Sequence, residues 1–140
     1  MRLTVEVEGS PGRIELPGDG RDLVAFLSFA VSRGFGAMHP LVVLAERLQR
    51  EHRVPMGPLT TFYDEDMEDA EDVEKLELAW QDREELAGAL ERLAAALAAD
   101  PGAATLARRG GAPGLGAQAG ALAAALRGAR GERVRMVYRL

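Results

Sequence analysis

Several residue types that support common chemistries are scarce in this 140-residue chain. Cysteine is absent, which excludes disulfides, thiolate catalysis and cysteine-ligated zinc or iron–sulfur sites. Lys75 is the only lysine, and arginine supplies the rest of the basic residues, alongside abundant alanine and glycine. This bias is typical of a GC-rich coding sequence and favours a bacterial source.

Long apolar runs are also missing. The longest uncharged apolar stretch, from Leu23 to Val31 with Ser28 inside it, is too short to cross a membrane. Residues 1–8 alternate polar and apolar side chains, so they lack the continuous apolar core of a signal peptide. We therefore expect a cytoplasmic protein that does not contact a membrane.

Candidate catalytic groups are few. His39 and His52 are the only histidines, they form no His-x-x-His or Glu-x-x-His pair, and no serine lies in a Gly-x-Ser-x-Gly elbow. We predict no catalytic residue, no metal and no cofactor. A rival interpretation stays open, in which a small enzyme or ligand-binding protein has a pocket between sheet and helices that uses Tyr138, His39 or acidic side chains.

Alternating residues at both ends of the chain predict strands. Residues 2–8 and 12–16 have the period of a half-buried hairpin, and residues 133–140 alternate in the same way. Arginines on one face of the last strand would pair with Glu6, Glu8 and Glu15 of the hairpin. The predicted fold is a single α+β domain over residues 1–140, in which a small antiparallel sheet packs on one face against four or five helices.

Helical periodicity fills most of the remaining chain. Leu23 begins one predicted helix that Gly34 would stop, Pro40 begins a second, and residues 53–62 read as an extended connection because they contain two prolines. Apolar positions from Val73 to Leu97 follow a heptad pattern, which predicts one long helix from about Asp66 to Ala99, about 50 Å in length. Either it protrudes or its first turns form a loop.

Two further helices are predicted after the long one. Asp100 can cap a short helix that begins at Pro101 and ends at Gly110-Gly111. Pro113 opens another, which runs to about Gly128 and is rich in alanine and glycine. We expect this last helix to pack antiparallel against the second half of the long helix, because its small side chains allow a close approach.

Charge is strongly segregated along the sequence. Residues 1–60 are balanced, residues 61–100 have a net charge of −11, and residues 101–140 have +6. The acidic part begins with a run of nine carboxylates: Asp64, Glu65, Asp66, Glu68, Asp69, Glu71, Asp72, Glu74 and Glu77. A calcium or magnesium site is one interpretation, but the spacing does not match an EF-hand loop. A second is a docking surface for a basic partner, and a third is a solvated helix start.

Protein–protein interaction is the function that these features favour, through the acidic run and the apolar stripe beside it. The predicted partner-binding residues are Phe62, Tyr63, Asp64, Asp66, Asp69, Asp72, Val73, Leu76 and Trp80. One hypothesis is an adaptor or assembly subunit, with a possible homodimer through the stripe; another is an acidic inhibitor or immunity-type protein that blocks a basic surface. Nucleic-acid binding is not expected, because the acidic run would repel phosphates.

Overall fold

The computed structural model describes residues 1–31, 39–66 and 70–139. Five strands lie in these ranges: β1 (Arg2–Val7), β2 (Arg13–Glu15), β3 (Phe62–Asp64), β4 (Gln81–Asp82) and β5 (Arg133–Arg139). The same ranges hold seven α-helices: α1 (Arg21–Val31), α2 (Pro40–His52), α3 (Met56–Leu59), α4 (Ala70–Glu77), α5 (Arg83–Ala99), α6 (Pro101–Arg109) and α7 (Leu115–Gly128). The α+β class is confirmed. Gly34, the predicted end of the first helix, lies outside the described residues.

The sheet has β5 at its centre. Its order is β2-β1-β5-β3, and β4 pairs with the same edge of β5 as β3. The pairings are antiparallel except for β3, which runs parallel to β5. The hairpin and the last strand are therefore confirmed, whereas β3 and β4 are additional strands of three and two residues.

The core lies between the inner face of the sheet and the helices. Leu3 and Val5 on β1 are fully buried there, as are Leu23 on α1 and Leu90 on α5. These side chains belong to one continuous apolar cluster. Close packing of this kind leaves the sheet–helix interface filled by leucine and valine rather than by polar groups.

The predicted ion pairs across the sheet are confirmed in part. Arg135 lies 2.5 Å from Glu6, and Arg133 lies 2.6 Å from Glu8. Glu15 instead pairs with Arg2, its neighbour on the paired hairpin strand.

The prediction of one long helix from Asp66 to Ala99 is wrong. The chain forms α4, leaves it at Leu78, adds two residues to the sheet as β4, and only then begins α5. Asp82 is the reason that α5 begins where it does, because its carboxylate accepts a hydrogen bond from the N–H of Glu84 at 3.3 Å. Asp82 is followed three residues later by Glu85, which is a capping pattern that can be seen in the sequence itself.

The extended connection over residues 53–62 is also partly wrong, because α3 lies within it. Pro58 is the third residue of this single helical turn. The first N–H groups of a helix have no partner inside it, so a proline there removes no helical hydrogen bond.

The helices after Asp100 follow the predicted pattern. Asp100 accepts hydrogen bonds from the N–H groups of Gly102 and Ala103 and so caps α6. Helix α7 packs antiparallel on α5, with Gly116 facing Leu97 at one end of the pair. At the other end, Arg127 forms ion pairs with Glu84 and Glu91 of α5. None of the helices over the described ranges is long and apolar enough to cross a bilayer.

Candidate protein-interaction surface

The described part of the acidic run lies over the face of the sheet that points away from the core. Between the β3 and β4 pairings with β5, the chain contacts this outer face through Glu65 and Asp66 and again through residues 76–80. We call Glu65, Asp66 and residues 70–80 the acidic strap. The predicted packing of the helices on one face of the sheet is therefore only part of the architecture, because the strap lies over the other face.

Ion pairs attach the start of the strap to the sheet. Glu65 lies 2.5 Å from Arg13 on β2, and Asp66 lies 3.2 Å from Arg139 on β5. The pKa of Arg13 is raised, first by its hydrogen bond with Glu65. Both arginines are at least 40% exposed, so water screens these pairs and each contributes at most about 1 kcal/mol.

Arg135 attaches the other end of the strap. Its guanidinium donates a hydrogen bond of 2.8 Å to the carbonyl of Leu76, lies 3.8 Å from the carboxylate of Glu77, and stacks 4.4 Å from the ring centre of Trp80. Because its side chain is only 13% exposed, these contacts are better shielded from water than those at the start of the strap.

Apolar side chains lie beneath the strap. Val137 on β5 points to the outer face and is 1% exposed, and Ala79 of the strap is equally buried. Thr4, opposite Val137 in the strand register, is 7% exposed. The strap thus protects a small apolar area of the sheet from water, which adds to the ion pairs.

The solvent side of the strap combines apolar and acidic residues. No residue of α4 is buried, and Val73 and Leu78 are 47% and 78% exposed. Glu74 and Glu77 are exposed beside them. At 100° per residue Val73, Glu74 and Glu77 lie within 100° of one another on α4, and Leu78 directly follows the helix. Two large apolar groups are therefore exposed close to carboxylates.

The predicted partner-binding residues do not all reach this side. Phe62 points to the inner face of the sheet and packs against Tyr138 with ring centres 5.6 Å apart. Tyr63 shares the outer face with Val137. Asp64 accepts a hydrogen bond from the N–H of Asp66, which fixes the turn into the strap.

The later residues of the predicted set divide between the two sides. Val73 faces solvent, whereas the main-chain carbonyl of Leu76 and the ring of Trp80 contact Arg135. Asp72 forms an ion pair of 3.7 Å with Lys75 inside α4. Asp69 lies outside the described residues.

Some residues of this surface were not identified from sequence. Among the residues that the structure describes, Leu78 is the most exposed large apolar side chain, and it falls between Leu76 and Trp80 without belonging to the heptad stripe. The sequence pattern predicts that Arg135 and Arg139 pair within the sheet, but both also contact the strap, and so does Arg13 of the hairpin. Only the acidic run itself was visible as a pattern, because its contacts depend on how distant segments come together.

Tyr138, a candidate of the enzyme interpretation, is a half-buried part of the sheet. Burial raises the pKa of its hydroxyl, and the nearby carboxylate of Asp64 adds to the shift. The other candidate, His39, stacks on Phe29 with ring centres 3.8 Å apart and accepts a hydrogen bond from the N–H of Leu41. These contacts give His39 a capping role at the start of α2.

One trio of potential metal ligands lies far from the strap in sequence, at Glu51, His52 and Asp100. Asp100 is already engaged, because it receives two hydrogen bonds from Arg47 at 2.8 and 2.9 Å and one contact of 2.8 Å from His52. These bonds, with Arg47 first and His52 second, hold the pKa of Asp100 well below its usual range. The guanidinium occupies the place where a cation would bind, so the trio fits an ion-pair network that joins α2 to α6.

A groove of about 330 Å³ lies between α5, α6 and α7. Its lining is largely alanine, glycine and leucine, with Arg108 as the charged group at its side. Such a lining lacks the convergent polar groups that orient a small ligand.

No protein-family model, curated protein or solved structure matches this chain.

Proposed function

We propose that this protein is a protein–protein interaction module that binds a basic partner through the solvent side of the acidic strap. The observation that supports it is the exposure of Val73, on a helix without a buried residue, and of Leu78, directly after that helix, close to exposed carboxylates. Apolar groups surrounded by charge are the usual composition of a small recognition surface.

Charge selects the class of partner. The segment 61–100 has a net charge of −11, and Glu71, Glu74 and Glu77 of α4 are exposed. A basic surface with an apolar depression would gain steering from the carboxylates and buried area from the two apolar side chains. A second copy of this chain would bring a second acidic strap to the same place, so a different and basic protein fits better than a homodimer.

Two cellular roles are compatible with this binding mode. An adaptor would present the strap to an assembly, and an inhibitor or immunity-type protein would use it to block a basic site. The apolar positions from Leu86 to Leu97 are buried against the rest of the chain, which favours charge-driven binding over helix packing as the mechanism.

A defined probe tests the proposal. The affinity of the protein for a synthetic amphipathic peptide of arginine and leucine is measured by fluorescence anisotropy at about 50 mM and about 500 mM salt. We expect binding that weakens steeply at the higher salt. The double variant Val73→Ser/Leu78→Ser should bind about ten-fold more weakly than the wild type, because it removes the apolar part of the surface.

The matched control is Val31→Ser on α1, since Val31 is 49% exposed and lies apart from the strap in sequence. It should leave the affinity unchanged. Equal affinity in the wild type and the Val73/Leu78 variant would overturn the proposal. Light scattering at both salt concentrations should give the mass of a monomer. The mass of a dimer at both concentrations would favour the homodimer hypothesis instead.

A further inference from the structure

The surface beneath the acidic strap is rich in arginine. The strand register places five arginines on the outer face of the sheet: Arg2, Arg13, Arg133, Arg135 and Arg139. We call this set the arginine face. The carboxylates that the sheet itself contributes beside them are Glu6, Glu8, Glu15 and Asp82, which is opposite Arg133, so the five arginines exceed four carboxylates. The strap supplies further acids through Glu65, Asp66 and Glu77.

We infer that the arginine face is a second binding surface, that its ligand is an acidic peptide segment of another protein, and that the strap occupies it in the free protein as an internal substitute. The proposed function uses Val73 and Leu78 on the solvent side of the strap, whereas this inference uses the arginines beneath it. Glu77 alone belongs to both surfaces, because it is exposed near Leu78 and lies 3.8 Å from Arg135. The Val73→Ser/Leu78→Ser variant keeps Glu77, so the two inferences are tested separately.

The contacts of the strap show what the arginine face recognises. Arg135 binds a main-chain carbonyl at Leu76, a carboxylate at Glu77 and an aromatic ring at Trp80. A polypeptide with acidic and aromatic residues offers all three groups. A nucleic acid offers no peptide carbonyl, and the sheet's own glutamates would face its regularly spaced phosphates.

The strap is held in a way that allows another segment to replace it. Its ion pair between Asp66 and Arg139 joins side chains that are 57% and 61% exposed, and exposed pairs of this kind contribute little. Its two ends are fixed separately, because β3 and β4 are both hydrogen-bonded to β5. The strap can therefore lift from the arginine face while the sheet keeps its register.

Direct binding of a labelled peptide tests the inference. The probe is a synthetic peptide with the sequence of residues 64–80, added to the full-length protein. The opening variant Glu65→Gln/Glu77→Gln removes the strap's pairs with Arg13 and Arg135 and leaves both arginines intact. We expect it to bind the probe about five-fold more tightly than the wild type.

The matched control is Asp72→Asn/Glu74→Gln, which changes the same charge in the same segment. Neither residue has a contact with the sheet in the described part of the chain, so the affinity should remain that of the wild type. Trp80, the only tryptophan, reports the opening independently, because its fluorescence should be quenched more readily by acrylamide in the opening variant than in the control.

The arginines are then removed in the opening background. Arg2→Gln/Arg139→Gln should abolish the gain in affinity, whereas Arg50→Gln/Arg109→Gln, which lowers the charge on α2 and α6, should preserve it. Unchanged peptide affinity in the opening variant would overturn the inference. Equal binding of a single-stranded oligonucleotide would also overturn it, since the surface would then be a general polyanion site. If the opening variant does not fold, Asp66→Asn alone serves in its place, with a gain of about two-fold expected.

Discussion

The helical layer and the acidic strap are stabilised by different forces. In the layer, seven residues of α5 are buried, and α7 lies close against them through small side chains. In the strap, no residue of α4 is buried, and apolar burial is confined to a small area at Ala79. Ion pairs, hydrogen bonds at the main chain of Glu65 and Leu76, and one stacked ring attach the strap to the sheet. Apolar burial stabilises a structure at any salt concentration, whereas exposed ion pairs weaken with salt. We therefore expect a surface that exchanges binding partners in the strap rather than in the helical layer.

Truncating the layer should have the largest effect on stability. Leu90→Ala removes a fully buried side chain of α5 and leaves a cavity, so the free energy of unfolding should fall by about 2–5 kcal/mol. Urea denaturation followed by circular dichroism measures it. The strap counterpart Val73→Ala should change it by less than about 0.5 kcal/mol. Similar losses from both substitutions would contradict the division into two regions.

Adding a side chain where the helical layer is tightly packed should have the next largest effect on stability. A Cβ at Gly110 would lie 2.5 Å from the Cγ of the buried Leu41, so Gly110→Ala should push α6 from α2 and lower the free energy of unfolding by about 1–3 kcal/mol. Thermal denaturation is the measurement. Gly88→Ala is the control, because nothing lies within 4 Å of its Cβ position in α5. That change should stabilise by about 0.5–1 kcal/mol, and destabilisation there would show that the layer has less room than its geometry implies.

Removing the ion-pair network between α2 and α6 should have the smallest effect on stability, and this effect should depend on pH. Arg47, and then His52, hold the pKa of Asp100 below its usual range, so the folded state favours the ionised carboxylate. The stability that this provides is present above the ordinary carboxyl pKa of about 4 and is lost as the pH falls towards the lower folded value. The free energy of unfolding of Asp100→Asn, measured by urea denaturation, should therefore be lower than that of the wild type at neutral pH. The difference should shrink near pH 2.

Glu46→Gln on α2 is the control for this network, because Glu46 is exposed and makes no ion pair with the described residues. It should show no such pH dependence. A difference between Asp100→Asn and the wild type that stays constant with pH would mean that the amide replaces the carboxylate fully and that charge contributes nothing at this position.

The elements that could be predicted from the sequence are those whose patterns are long enough to repeat. Strands β1 and β5 alternate over six and seven residues, and α7 keeps its period over 14. Strands β3 and β4 have three and two residues, which is too short for a period to be visible. Their existence depends on β5, a partner that lies far away in the sequence.

The break in the predicted long helix has a similar origin. Heptad spacing from Val73 to Leu97 continues through residues that the fold uses for a strand, because Gln81 and Asp82 gain ladder hydrogen bonds with β5. The acidic surface was predicted from composition alone. Its division into an outward side and a side bound to arginines was not, because that division depends on where the sheet places Arg13 and Arg135.

Helix α4 also has a length that matches its two attachment points. The strap leaves β5 opposite Tyr138 and rejoins it opposite Val134, four residues away, which is about 13 Å along a strand. Eight helical residues measure about 12 Å. The chain between Asp64 and Gln81 has 16 residues, which could reach about 50 Å if extended. This connection therefore has length to spare, and it is the contacts with the sheet, rather than a taut chain, that keep α4 beside the outer face.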